Sequence, residues 1–232
     1  MSFWQVTMKR SVRLSRSYFV IGIVTTLYGI ILSNIMSIIP ADSANPAPID
    51  LSNNFPILSV AILSLSGLLF SLPVVMLFVY DKNNGVLEYL LSTGLDQLDI
   101  FKGYVKASLT LATYLLVFAV IFNTAIGFIL GTSLSLLVSM AVLTFVIGIS
   151  EVFLVTVCMM AFSSLQKTPM GANQPLGVVI GIIPMFPALI LPLAFPAYAI
   201  VIDLLIAVIT LLVSFVLLLS IGRLILREKL LP

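Results

Sequence analysis

Two carboxyl groups stand inside long apolar runs of this chain: Glu151 in LTFVIGISEVFLV and Asp203 in YAIVIDLLIAV. An ionisable side chain in such a setting needs a partner, a proton or a water-filled cavity, and it marks either a functional group or a buried structural hydrogen bond. Asp203 is only about five residues from the outer end of its run, roughly 8 Å, where it can simply face outer water. Glu151 lies deeper, about 14 to 26 Å from the same surface. The two depths do not favour a direct pair, which argues against a paired-carboxylate catalytic site. Other chemistry is scarce. With no His in the chain, Ser-His-Asp triads, His-ligated zinc and His-ligated haem cannot be built from it. The single Cys158 reads as a small apolar side chain and cannot form an intrachain disulfide. No GxxxxGK[ST] sequence occurs, so no phosphate-cradling loop is expected, and any ATP and Mg this protein uses would be bound by another subunit. The chain itself is therefore not expected to be an enzyme, and no metal site or nucleic-acid partner is expected.

The elements that carry these residues are set by composition. In 232 residues, 61% are hydrophobic and 9% charged, with a mean hydropathy of +1.24. That is a polytopic membrane protein, and its long unalternated apolar runs exclude a closed barrel, leaving helices. The expected fold is all-α, a single transmembrane domain over 1–232, with six transmembrane helices at about 18–39, 57–80, 107–130, 134–162, 176–195 and 198–222. The first run follows Lys9, Arg10, Arg13 and Arg16 as a signal peptide would. It is too long for a cleaved apolar region of about 7 to 15 residues and is read as a retained span. The fifth contains Pro184, Pro187 and Pro192, each of which removes a helical hydrogen bond, so a bent span is expected, with a re-entrant hairpin as the rival.

All eleven Lys and Arg residues fall on one side of this six-span arrangement. Basic residues near span ends stay in the cytoplasm, so both termini are expected there and the protein in the cell membrane. Omitting any one span would place a basic cluster outside. Residues 1–17 mix Phe3, Trp4, Val6, Met8, Val12 and Leu14 with four cations, as suits a helix lying against lipid headgroups, or a frayed tail with ordinary positive-inside anchoring. In the second run Ser64, Gly67 and Ser71 occupy i, i+3 and i+7, a small-residue face that lets another helix approach closely.

The segment Asp81 to Lys106, DKNNGVLEYLLSTGLDQLDIFKGYVK, is a charged amphipathic island among these runs. Val86, Leu87, Leu90 and Leu91 share one helical face with Glu88 off it, Gly94 interrupts, and Asp96 is a plausible N-cap for a second segment entering span three. Helix, break, helix is expected at the cytoplasmic face.

The stretch GVLEYLLSTGLDQLDIFKGYVKASLTLA, placed between spans two and three, resembles the cytoplasmic segment of ABC-2 type transporter permeases. Gly85, Leu87, Glu88, Leu90 and Leu91 match that family's Gly-x-Leu-Glu-x-Leu-Leu core. Gly94 stands where Pro is usual, and Lys102-Gly103 reverses the family's Gly-Lys pair. The resemblance implies a transmembrane half of an ATP-driven exporter, with residues 1–17 as an interfacial elbow and about Gly85 to Ser92 as a coupling helix within the 81–106 segment. It implies two partners besides membrane lipids: an ABC ATPase subunit, and a second permease subunit, identical or not. The Leu87, Leu90 and Leu91 stripe would either insert into an ATPase groove or hold the helix to the bundle. By the same analogy Ser64, Gly67, Ser71, Pro184 and Pro187 would lie near the substrate pathway, with Glu151 and Asp203 the intramembrane acids beside it. The alternatives are an ion-coupled secondary transporter or channel subunit, which the restriction of the Pro cluster to one half disfavours, and a non-enzymatic assembly subunit. Aliphatic spans do not choose a substrate.

Overall fold

The computed structural model describes residues 2–36, 51–161, 190–191, 194–195 and 198–224. The described residues form seven α-helices of more than one turn and no strand: α1 (Phe3–Leu14), α2 (Arg16–Met36), α3 (Leu51–Asn83), α4 (Val86–Ser92), α5 (Gln97–Ile129), α6 (Leu134–Ala161) and α7 (Ala199–Leu224). Parts of four helices, Ile62–Asn83, Gln97–Ile129, Leu134–Cys158 and Ile200–Leu217, are each long and apolar enough to cross a membrane; a fifth crossing follows if α1 and α2, which meet at 83°, count as one bent pair. The expected first, second, third, fourth and sixth runs thus coincide with α2, α3, α5, α6 and α7. The expected fifth, with Pro184 and Pro187, falls almost wholly outside the described residues.

Two boundaries differ from the sequence reading. The second run is longer, beginning at Leu51 and continuing through Asp81 and Lys82, because both charges are accommodated: Asp81 is paired as described below, and Lys82 lies in the last turn, where a cation complements the helix dipole. The third begins at Gln97 rather than near 107, with Asp96 in extended backbone just before it and no side-chain capping bond.

Helix α3 is the hub of the bundle, packing against α1, α2, α4, α5 and α6. Close approach depends on small residues. Gly22, Thr26 and Gly29 of α2 turn inward, and a β-carbon at Gly29 would lie 2.7 Å from Ile62 of α3. Leu116 of α5 fits between Gly67 of α3 and Gly148 of α6, where β-carbons would lie 3.1 and 2.9 Å from its side chain. Helix α7 packs chiefly on α6 through Asp203, Ile206, Ala207, Thr210 and Ser214. Ala207 clusters with Met140, Leu143 and Ile147, and Ser214 Oγ donates to the Ser150 carbonyl at 3.2 Å, so the two helices run parallel. Large apolar side chains along the outer faces of α2, α5, α6 and α7 are exposed, as in Val24, Tyr114, Val142 and Val216, which suits a surface bathed in lipid.

Candidate functional site

Among the described residues, the ion pair lies at the end of the bundle that carries α4. Helix α3 stops at Asn83, and Gly85 (φ 71°) turns the chain into α4; Gly94 (φ 86°) turns it out again. Both glycines occupy left-handed backbone that a β-carbon disfavours. The short helix is seated by Leu87, which is 0% exposed and joins Phe78, Phe101 and Tyr104 in one apolar cluster, with Leu90 and Leu91 packed against its rim. The leucine stripe therefore faces the bundle, the second of the two roles open to it. What α4 presents outward is Glu88, Ser92 and Tyr89, the last 67% exposed, followed by exposed Leu95, Asp96 and Asp99.

Beside α4 is a constellation that periodicity did not reveal. Asp81, 0% exposed, is paired with Arg10 of α1, whose side chain is 40% exposed. Arg10 Nη2 donates to Asp81 Oδ1 at 2.7 Å and Nη1 to Oδ2 at 3.0 Å. Tyr104 of α5 donates its hydroxyl to Oδ2 at 2.5 Å. The Tyr104 ring meets Phe78 and Phe3 edge-on, with centroids 5.2 and 5.6 Å apart. Phe3 covers Gly103 so closely that a β-carbon there would collide with its ring, and Lys106 Nζ lies 5.2 Å from the centre of the Trp4 ring, a cation–π distance. One signal in sequence pointed here: an Asp at the end of an apolar run demands a cation, and four lie in residues 9–16.

In the middle of the bundle Ser64, Gly67 and Ser71 are buried, packed toward α5 and α6. Ser71 Oγ donates to the Leu68 carbonyl of its own helix at 2.7 Å. Glu151 of α6 is 0% exposed. Among the described residues neither of its carboxyl oxygens has a hydrogen-bond partner. Asp203 is 1% exposed, so it is covered where open outer water was one expectation, and its Oδ2 has no hydrogen-bond partner among the described residues. The two acids are apart: Ser214 is level with Ser150, and Asp203 precedes Ser214 by eleven residues, about 16 Å of helix. Two further polar links cross between helices, Ser108 to Thr156 at 2.9 Å and Asn34 to Asn123 at 3.0 Å. No group of three or more His, Cys, Asp or Glu side chains with metal-binding proximity occurs among the described residues.

Together the described residues present a short seated helix with a polar, aromatic outer edge, next to the cluster of Arg10, Asp81 and Tyr104, in a bundle that also holds two covered carboxyl groups. Compared with known proteins, the chain matches no family model, no curated protein and no solved structure.

Proposed function

We propose that this chain is the membrane-spanning half of an ATP-driven exporter of the ABC-2 type, working as a dimer with a separate ATPase that binds ATP and Mg. In this reading α1 is an interfacial elbow, α4 is the coupling helix, six spans cross the cell membrane, and both termini are cytoplasmic. The observation that carries it is α4: seven residues, bracketed by two left-handed glycines and seated between two long apolar helices through Leu87. A short helix so anchored moves with the spans when its outer edge is pushed. The parallel run of α6 and α7 supports a sixth crossing, because parallel neighbours need a connection back along the bundle, and a span at about 176–195 would supply it. The hypothesised cycle has ATPase closure press on α4 in both halves and rotate the bundles so that a central route opens outward.

The seat of Leu87 redirects the test. Leu87→Asp would put an unpaired charge in the core and unfold the seat, so the variants that probe docking are at the outer edge, Glu88→Arg and Tyr89→Asp. Co-expressed with an ABC ATPase subunit that co-purifies with the parent chain, they should keep the monomer's thermal stability but lose ATPase co-purification and lower stimulated ATP turnover roughly tenfold, the scale of one lost interface anchor. Wild-type assembly and turnover in both would defeat the reading. A second reading, an ion-coupled carrier or channel subunit, is favoured by one observation, the covered and unpartnered Glu151 carboxyl. Transport that proceeded without ATPase, followed a proton gradient and ceased in Glu151→Gln would select it.

A further inference from the structure

The geometry points to Asp81 as a positioning residue that locks α1 to the inner ends of α3 and α5, so that α1 and α4 form one rigid unit. This holds whether or not an ATPase docks on α4.

Helix α1 turns two hydroxyls toward the bundle and commits both to its own backbone. Its buried residues are Thr7 and Ser11, and both hydroxyls are occupied within the helix, Thr7 with the Phe3 carbonyl at 3.0 Å and Ser11 with the Met8 carbonyl at 2.8 Å. Apolar contact from Phe3 and Met8 is non-directional. Among the described residues, the hydrogen bonds from α1 side chains to the other helices are the two from Arg10 to Asp81. A bidentate guanidinium–carboxylate pair sets both distance and plane, and the third bond, from Tyr104, stops the carboxylate from swinging with the arginine.

The same cluster reaches α4. Asp81 lies one turn before Gly85, where α3 hands over to α4. Tyr104 stacks edge-on against Phe78, and both share the cluster that holds Leu87. Tyr104 is therefore the point where α1, α3, α4 and α5 meet. Burying a carboxylate at this depth is not the route to the most stable packing, because an apolar pair of similar volume often packs equally well or better. Directionality is what the ionic arrangement adds.

Spin labels test this in the full chain reconstituted in nanodiscs, using a Cys158→Ala background, since Cys158 is the sole cysteine. One pair, Val6→Cys with Tyr89→Cys, spans α1 to α4; a reference pair, Tyr114→Cys with Val142→Cys, spans α5 to α6. All four positions are exposed. Both pairs should give narrow distance distributions in the parent. Arg10→Met combined with Asp81→Leu replaces the ion pair by an apolar one and leaves no orphaned charge. It should broaden the α1–α4 distribution roughly twofold or more while the reference pair stays narrow, the behaviour of a locally released element. Tyr104→Phe should broaden it less, because the bidentate pair persists. An α1–α4 distribution that stays narrow in the double variant overturns the proposal, since apolar contact would then suffice. Equal broadening of both pairs overturns it too, because Asp81 would then be a determinant of the whole bundle.

Discussion

At the scale of single residues, the bundle is decided by what fits where helices nearly touch. Leu116 sits between Gly67 and Gly148, and only the α3 side of that contact was legible: the i, i+3, i+7 spacing of Ser64, Gly67 and Ser71 announces a close approach but not which side chain fills it. Gly148 and Leu116 carry no mark in their own helices, because the contact exists only once α3, α5 and α6 are paired. Glu151 was legible as an anomaly for the opposite reason, since one carboxylate among aliphatic neighbours stands out in any window. Its placement makes a stability prediction. A buried polar group without a partner costs roughly 1 to 3 kcal/mol, so Glu151→Leu should raise stability by about that amount. Thermal unfolding in detergent measures it. A lower unfolding temperature in the variant would mean that the carboxyl has a stabilising partner, and with it a stronger case for a functional ion or proton site.

At the scale of elements, the helix, break and helix at residues 85–97 could be read because each signal is local: a leucine stripe, the Gly94 break and an aspartate before the next helix. The joint between α1 and α3 could not, because Arg10 and Asp81 are separated by 71 residues and a single ion pair leaves no periodic trace. The outer side of α1 supports a prediction of its own. Lys9, Arg13 and, at the bend, Arg16 are exposed, while Arg10 is committed to Asp81. The segment Ser2 to Ser17 contains no acid to neutralise them, and α1 turns 83° from α2. If α2 crosses the bilayer, α1 lies along its surface with three exposed cations, each worth about 1 kcal/mol against anionic lipid. Trp4 is the chain's one tryptophan and sits on this helix, so its emission reports α1 alone. In mixed phosphatidylcholine and phosphatidylglycerol membranes, brominated phosphatidylglycerol should quench Trp4 more strongly than brominated phosphatidylcholine at the same mole fraction. Changing Lys9, Arg13 and Arg16 together to Gln should abolish the difference. Equal quenching by the two lipids in the parent would show that α1 does not select anionic headgroups.

At the scale of the whole molecule, topology follows from adding charge to direction. The chain reverses at the α3–α4–α5 turn and again between α5 and α6, and α7 then runs parallel to α6, so α1, α4 and the end of α7 share one face of the bundle while the α5–α6 turn lies on the other. Among the described residues that face carries Lys9, Arg10, Arg13, Lys82, Lys102 and Lys106, and the positive-inside bias predicts it to be cytoplasmic. The six-span count rests on charge and the helix directions on packing; among the described helices four, or five with the bent α1–α2 pair, are long and apolar enough to cross, and the sixth crossing belongs to the proposal. Single cysteines in the Cys158→Ala background turn this into an accessibility experiment. Val6→Cys and Leu95→Cys should react with a membrane-impermeant maleimide only after cells are permeabilised, whereas Ser133→Cys, in the α5–α6 turn, should react in intact cells. Labelling of position 6 without permeabilisation would invert the orientation. Labelling of positions 95 and 133 from the same side would remove α5 as a crossing, and the face that carries α4 could then no longer be the one opposite the α5–α6 turn.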